Sequence, residues 1–154
     1  MLRFRPASSS DYDTLERMVV DSFEPITWIK RVDTRFGPLN GMDWRARWQV
    51  RFRRVFESQY VLVGEVDGRI VACATGTYDP GSRLGYIDLL AVDGAAQGLG
   101  YGRQMLRAII AHFKQMGAEH VHLDCLQDND VGNKLYRSEG FEEVARAVHW
   151  FKKI

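Results

Sequence analysis

The most constraining stretch of this chain lies between residues 84 and 117. It starts as an apolar, β-rich run, Leu84-Gly85-Tyr86-Ile87-Asp88-Leu89-Leu90-Ala91-Val92, breaks at a turn, and resumes as Gln97-Gly98-Leu99-Gly100-Tyr101-Gly102-Arg103. Tyr101, Met105, Leu106, Ile109, Ile110 and Phe113 then recur at helical spacing until Gly117 stops the helix. Glycines at a helix start matter because the first helical amides have no partner inside the helix and carry its positive dipole end. A turn stripped of side chains lets an anion reach those amides, and phosphate is the natural guest. A strand that feeds such a turn and then an amphipathic helix is a stronger signal than the glycines alone.

The helix leads to a second β-rich run, residues 120–126, which a crossover of this kind makes parallel to residues 84–92. A last helix is predicted over residues 130–138, with Asn129 at its start, Leu135-Tyr136 inside it and Gly140-Phe141 after it. Gln97, Gly100 and Gly102, followed by this second group, resemble the GNAT superfamily of N-acetyltransferases. In that family Arg/Gln-x-x-Gly-x-Gly/Ala cradles the pyrophosphate of acetyl-CoA. The downstream element is Asn-x-x-Ala-x-x-Leu-Tyr-x-x-x-Gly-Phe, and here Gly132 stands where alanine is usual. Gly94 replaces a common proline, and Gln97 replaces the more frequent arginine.

The resemblance implies a single-domain α/β fold over residues 1–154. Its mixed sheet would hold about six or seven strands, antiparallel at the N-terminal side, with a splayed parallel pair at the cofactor site and about four helices. It implies acetyl-CoA as co-substrate, with the Leu90-Ala91-Val92 backbone on its pantetheine arm and Gln97, Gly98, Leu99, Gly100, Tyr101, Gly102 and Arg103 around its phosphates. Asn129 would cap the last helix, bond the pantetheine arm, or do both. The implied reaction is direct attack of a primary amine on the thioester, with no covalent enzyme adduct. Tyr136 matches the family's tyrosine, which protonates the departing thiolate. For the base, Asp88 is the candidate: two residues before Leu90, it is expected on the same face of the strand. The alternatives are that Asp88 pairs with a basic neighbour, or that the amine loses its proton to solvent. Glu65 and Asp93 are weaker choices, and His112, His120, His122 and His149 form no constellation.

The remaining segments fit around this centre. Residues 3–5 read as a short strand, and residues 8–11 cap a helix carrying Tyr12, Leu15, Met18, Val19 and Phe23 before Pro25. Residues 24–41, with Gly37-Pro38 and Asn40-Gly41, read as a long loop. Asp43 caps a helix with Trp44, Trp48, Phe52, Val55 and Phe56 on one face and arginines spread over the rest. Those arginines suit an acidic acceptor, although a solvated charged face is the simpler reading. Residues 60–66 and 69–78 flank Asp67-Gly68, a tight-hairpin signal, and residues 141–154 read as one or two closing strands.

A net charge of +1 gives no global drive toward nucleic acid or membrane, and no apolar run reaches spanning length. Cys73 and Cys125 lack ligand spacing, so free thiols are expected, with no metal site. Together with an N-terminus that lacks a signal-like apolar core, this reads as cytoplasmic. A homodimer is compatible with the sequence. Two rival classes remain. A nicotinamide-binding unit is disfavoured because the glycines run Gly-x-Gly-x-Gly and too little chain follows for a dinucleotide sheet. A non-catalytic CoA-binding module would keep the cradle without the acceptor chemistry.

Overall fold

The Asp67-Gly68 pair sets the first sheet contact. Both residues adopt positive φ (49° and 76°), which matches the twist of the strands they join. In the computed structural model, which describes residues 1–154, they connect β2 (Tyr60–Val66) to β3 (Arg69–Asp79) as an antiparallel hairpin. A further turn leads to β4 (Leu84–Val92), antiparallel to β3, and β1 (Arg3–Pro6) adds to the outer side of β2. The sheet ends with β5 (His120–His122), parallel to β4. Strand order therefore follows chain order.

Helices cover both faces. On one side lie α1 (Tyr12–Phe23), α2 (Trp28–Phe36) and α3 (Trp44–Ser58), with Leu15, Val19 and Phe52 packed on Val63, Cys73 and Leu89. On the other lies α4 (Tyr101–Met116), whose Met105, Leu106, Ile109 and Phe113 pack on Leu62, Ala74 and Ile87. β2 shows the alternation that feeds both cores: Val61 and Val63 point one way, Leu62 the other. The chain finishes with α5 (Asp130–Ser138) and an extended tail.

α4 can approach the sheet closely only because two strand positions have no side chain. A Cβ on Gly76 would sit 2.1 Å from the Tyr86 carbonyl oxygen and 2.8 Å from the Phe113 ring, and one on Gly85 would sit 2.8 Å from the same ring. Gly76→Ala is expected to cost about 3 kcal/mol, read as a lower denaturant midpoint at constant slope.

Five expectations change. Residues 24–41 contain α2: the Thr27 side chain accepts from the Ile29 amide at 3.2 Å, and Gly37 ends the helix at φ 73°. The turn dipeptides follow this helix instead of replacing it, which makes five helices where about four were expected. The sheet has five strands, not six or seven. The closing strands do not form, since residues 142–154 make no backbone–backbone hydrogen bond and lie exposed. β5 is also shorter than the predicted residues 120–126, because the chain leaves β4 after His122.

The fifth change concerns Asp88. Across β3 and β4, Thr75 pairs with Leu89 and Gly76 with Ile87, so Asp88 is an extra residue, a β-bulge. The alternation shifts phase there. Ile87 belongs to the α4-side core, whereas Leu89 and Ala91 belong to the α1–α3 side and Leu90 packs on the α4 side. Asp88 therefore does not share a face with Leu90, contrary to the period-two expectation. It turns toward α3 instead.

Candidate active site

Two structural accidents of the sheet create the site. Parallel pairing between β4 and β5 stops at Tyr86 opposite His122, leaving the outer edge of β4 from residue 87 to 92 without a strand partner. The chain past β5 diverges into residues 123–129, and a cleft of about 140 Å³ opens between them. Leu90, Tyr86 and Asp88 line it from β4, Asp124 and Cys125 from the diverging segment, and Tyr136 from α5.

At the end of β4 lies the glycine turn. A 3-10 turn at Gly94–Ala96 is capped by Asp93, whose carboxylate accepts from the Ala95 amide at 2.9 Å. The Gln97 side chain donates to the Val92 carbonyl at 3.2 Å and so pins the turn to the strand. Gly98 and Gly100 both hold φ 79°, and a Cβ on either would meet nothing within 4 Å. Gly100 caps α4, and the amides of residues 98–103 take no partner within the chain. This concave row of donors at the positive end of a 16-residue helix is suited to a diphosphate.

The other expected cofactor residues divide into backbone and side-chain roles. The Leu99 side chain is exposed and Tyr101 packs on the α4-side core. A Cβ on Gly102 would only touch Val92 and Leu135 at 3.7 and 3.8 Å, so this glycine is not required by crowding. The Arg103 guanidinium is committed to Glu139, which Arg107 also holds, tying α4 to the end of α5. Those guanidiniums, Arg107 first, keep the Glu139 carboxyl below its ordinary value. Ala91 is buried on the α1–α3 side, and Leu90 and Val92 are half-buried on the α4 side.

Asn129 caps α5, its side-chain oxygen accepting from the Gly132 amide at 3.1 Å. Gly132 is tight: a Cβ there would lie 2.7 Å from the Asn129 amide nitrogen and 3.1 Å from the Cys125 sulfur. Glycine in place of the usual alanine makes room for that pair. The half-buried Tyr136 packs edge-on to Phe141 at 5.9 Å, and its hydroxyl has no hydrogen bond within the chain. Burial, then the Cys125 and Asp124 charges, push this phenol up to about 12, so it stays protonated at neutral pH.

Asp88 is the most engaged carboxylate in the cleft. Arg51 donates to one oxygen at 2.8 Å and Gln59 to the other at 2.8 Å, with the Tyr86 hydroxyl 3.4 Å away. Asp124, which the sequence did not single out as a site residue, accepts from the Tyr86 hydroxyl at 3.0 Å through one oxygen and leaves the other without a protein partner. Burial, then the Asp88 charge and the Asp124 hydrogen bond, raise the Tyr86 phenol well above its ordinary value, so it too remains a donor. Asp124 was detectable in principle: it sits on the predicted parallel strand twelve residues before Tyr136. Glu65 is held by Arg5 on the β1 side, and Asp93 is spent as a cap, so neither reaches the cleft.

The sequence profile of the GNAT acetyltransferase family matches residues 24–141. The chain belongs to that family. A GNAT relative from Cellulomonas flavigena, described as a mycothiol acetyltransferase, is 30% identical over 118 residues, covering 71% of this chain and 33% of its own length. Another, from Haemophilus ducreyi, described as a ribosomal protein bS18 alanine N-acetyltransferase, is 38% identical over 62 residues, 40% of this chain and 43% of its own. The chain thus spans about a third of the mycothiol acetyltransferase it matches. The GNAT fold itself is shared along the whole chain. An aminoglycoside N-acetyltransferase solved with CoA superposes at TM-score 0.69 and 14% identity, covering 100% of this chain and 96% of that one. The ribosomal S18-alanine N-acetyltransferase of Escherichia coli superposes at 0.68 and 17%, covering 94% and 80%.

Proposed function

We propose that this chain transfers the acetyl group of acetyl-CoA to a primary amine within a ternary complex. The observation that carries the reading is the row of free amides at residues 98–103, continuous with the unpaired edge of β4 that leads to Tyr136. A diphosphate fits the first, an extended amide-bearing arm fits the second, and the thioester then falls at the cleft. The chemistry acetyl-CoA supplies is an activated acyl group.

This chain's residues would do the rest. Asp124, with one oxygen open to the cleft, takes a proton from the substrate ammonium, while Asp88 orients Arg51 and Gln59. The amine nitrogen bonds to the carbonyl carbon as the carbon–sulfur bond breaks. Tyr136 gives its proton to the sulfur and regains one from the new amide nitrogen, and Asp124 returns its own to solvent. A backbone amide of residues 90–92 on the open edge of β4 would polarise the carbonyl. Neither cysteine is paired, and no helix is long and apolar enough to cross a membrane, which supports a cytoplasmic setting.

Titration calorimetry with acetyl-CoA, using NADH and NADPH as controls, tests the cofactor. Micromolar binding, about −8 kcal/mol, with no nicotinamide signal is expected, and the reverse pattern would sink the reading. Asp124→Asn tests the base. Its turnover should fall about 100-fold at neutral pH and recover as pH rises through the pKa of the amine, because solvent then supplies the free amine. A pH-independent deficit would point to positioning instead.

A further inference from the structure

The walls of the cleft specify more than an amine. Phe23, Ile26, Trp28 and Trp48 give it apolar surface, and His149 from the tail stacks on Trp28 at 4.6 Å. The one polar atom of Trp48 is already used, since its ring nitrogen donates to the Thr27 hydroxyl at 2.8 Å, and Phe23 packs against that ring at 4.9 Å. These side chains leave no hydrogen-bonding group turned toward a guest except the exposed Trp28 ring edge and the His149 imidazole.

Charge in the cleft is equally sparse. Arg51 and Asp88 neutralise each other, which leaves Asp124 as the lining carboxylate with an open oxygen. Several acids on the flanking elements are ion-paired as well: Glu24 with Lys30 and Arg45, Asp21 with Arg45, Asp33 with Arg47, and Asp128 with Arg31. An acceptor with several ammonium groups would have to desolvate each of them without a carboxylate to receive it, a cost that grows with every unmatched charge. One open carboxylate beside aromatic walls matches one ammonium on an aromatic or bulky apolar body.

Resting on the acetyl-transfer reading above, we propose that the acceptor is a small primary monoamine whose aromatic group lies a few bonds from the nitrogen. Its ring packs among Phe23, Ile26 and Trp28, and its ammonium sits at Asp124. This sets the chain apart from polycationic acceptors and from acceptors whose amine is flanked by a peptide backbone.

Free-thiol release from acetyl-CoA, measured with tryptamine, phenethylamine, kanamycin and an alanine-starting tetrapeptide, tests this. Tryptamine or phenethylamine should give a kcat/KM at least about tenfold above kanamycin and the peptide. Trp28→Ala should raise the acceptor KM about tenfold, more than it lowers kcat, with acetyl-CoA affinity retained, and Trp28→Phe should recover most of the loss. Preference for kanamycin or the peptide, an equal effect of Trp28→Ala on all acceptors, or silence of both arylalkylamines while acetyl-CoA still binds would overturn the inference and leave acetyl transfer standing. Failure of acetyl-CoA to bind would overturn both.

Discussion

Tyr136→Phe is expected to lower turnover about 100-fold while leaving acetyl-CoA affinity within about twofold. The hydroxyl makes no hydrogen bond within the chain, so its removal strands no partner and the ring still packs on Phe141. What disappears is a proton donor held at about 12 by burial, well matched to a thiolate leaving in a partly desolvated cleft. The deficit should be flat from pH 6 to 9, since this phenol does not ionise there. Normal turnover of the variant on a confirmed acceptor would remove Tyr136 from the acid role and leave it as packing.

Gly100→Asp should weaken acetyl-CoA binding at least about 100-fold, roughly 3 kcal/mol, by placing a carboxylate where diphosphate charge must sit. Gly100 holds φ 79°, a left-handed conformation that aspartate tolerates at about 1 kcal/mol, and a Cβ there meets nothing within 4 Å. The variant should therefore fold, with a melting temperature only a few degrees lower, and fail in calorimetry. Gly100→Ala separates the two contributions: it adds the strain without the charge and should cost far less affinity. Equal losses for both would mean that backbone conformation, not electrostatics, controls the cradle.

The parts legible in the sequence were those whose physics is local. Asp67-Gly68 fixed a hairpin, Gly100 and Gly117 marked the ends of α4, and Asn129 and Tyr136 took their places on α5 because cap and helix periodicity act over a few residues. The misreadings came from longer-range effects. Gly37-Pro38 and Asn40-Gly41 looked like one loop, although the residues before them form α2 once Thr27 caps it and Asp33 pairs with Arg47 from α3. Residues 141–154 hold Phe141, Val144, Val148, Trp150, Phe151 and Ile154, residue types that favour strands, yet strand formation needs a sheet edge in register, and the chain leaves β4 after His122. The arginines of α3 met neighbouring acids and aromatic rings, as Arg45, Arg47, Arg51 and Arg53 show, partners that lie on other elements and that spacing along one helix does not reveal. Asp88 was expected on the face of Leu90 by counting in twos, and a bulge defeats that count.

That bulge makes β4 a strand in two phases. Upstream of Asp88 the even-numbered side chains look toward α3, and downstream they look toward α4, so the cleft lies where the two readings of the strand meet. A substitution at residue 88 alters one carboxylate, whereas deletion of residue 88 would set Ile87 and Leu89 side by side opposite Gly76 and Thr75, straightening the strand and keeping both faces. In genetic terms residue 88 behaves like a letter inserted between two messages that are each in frame: its loss spares the packing on both faces and takes away only the carboxylate and the bend.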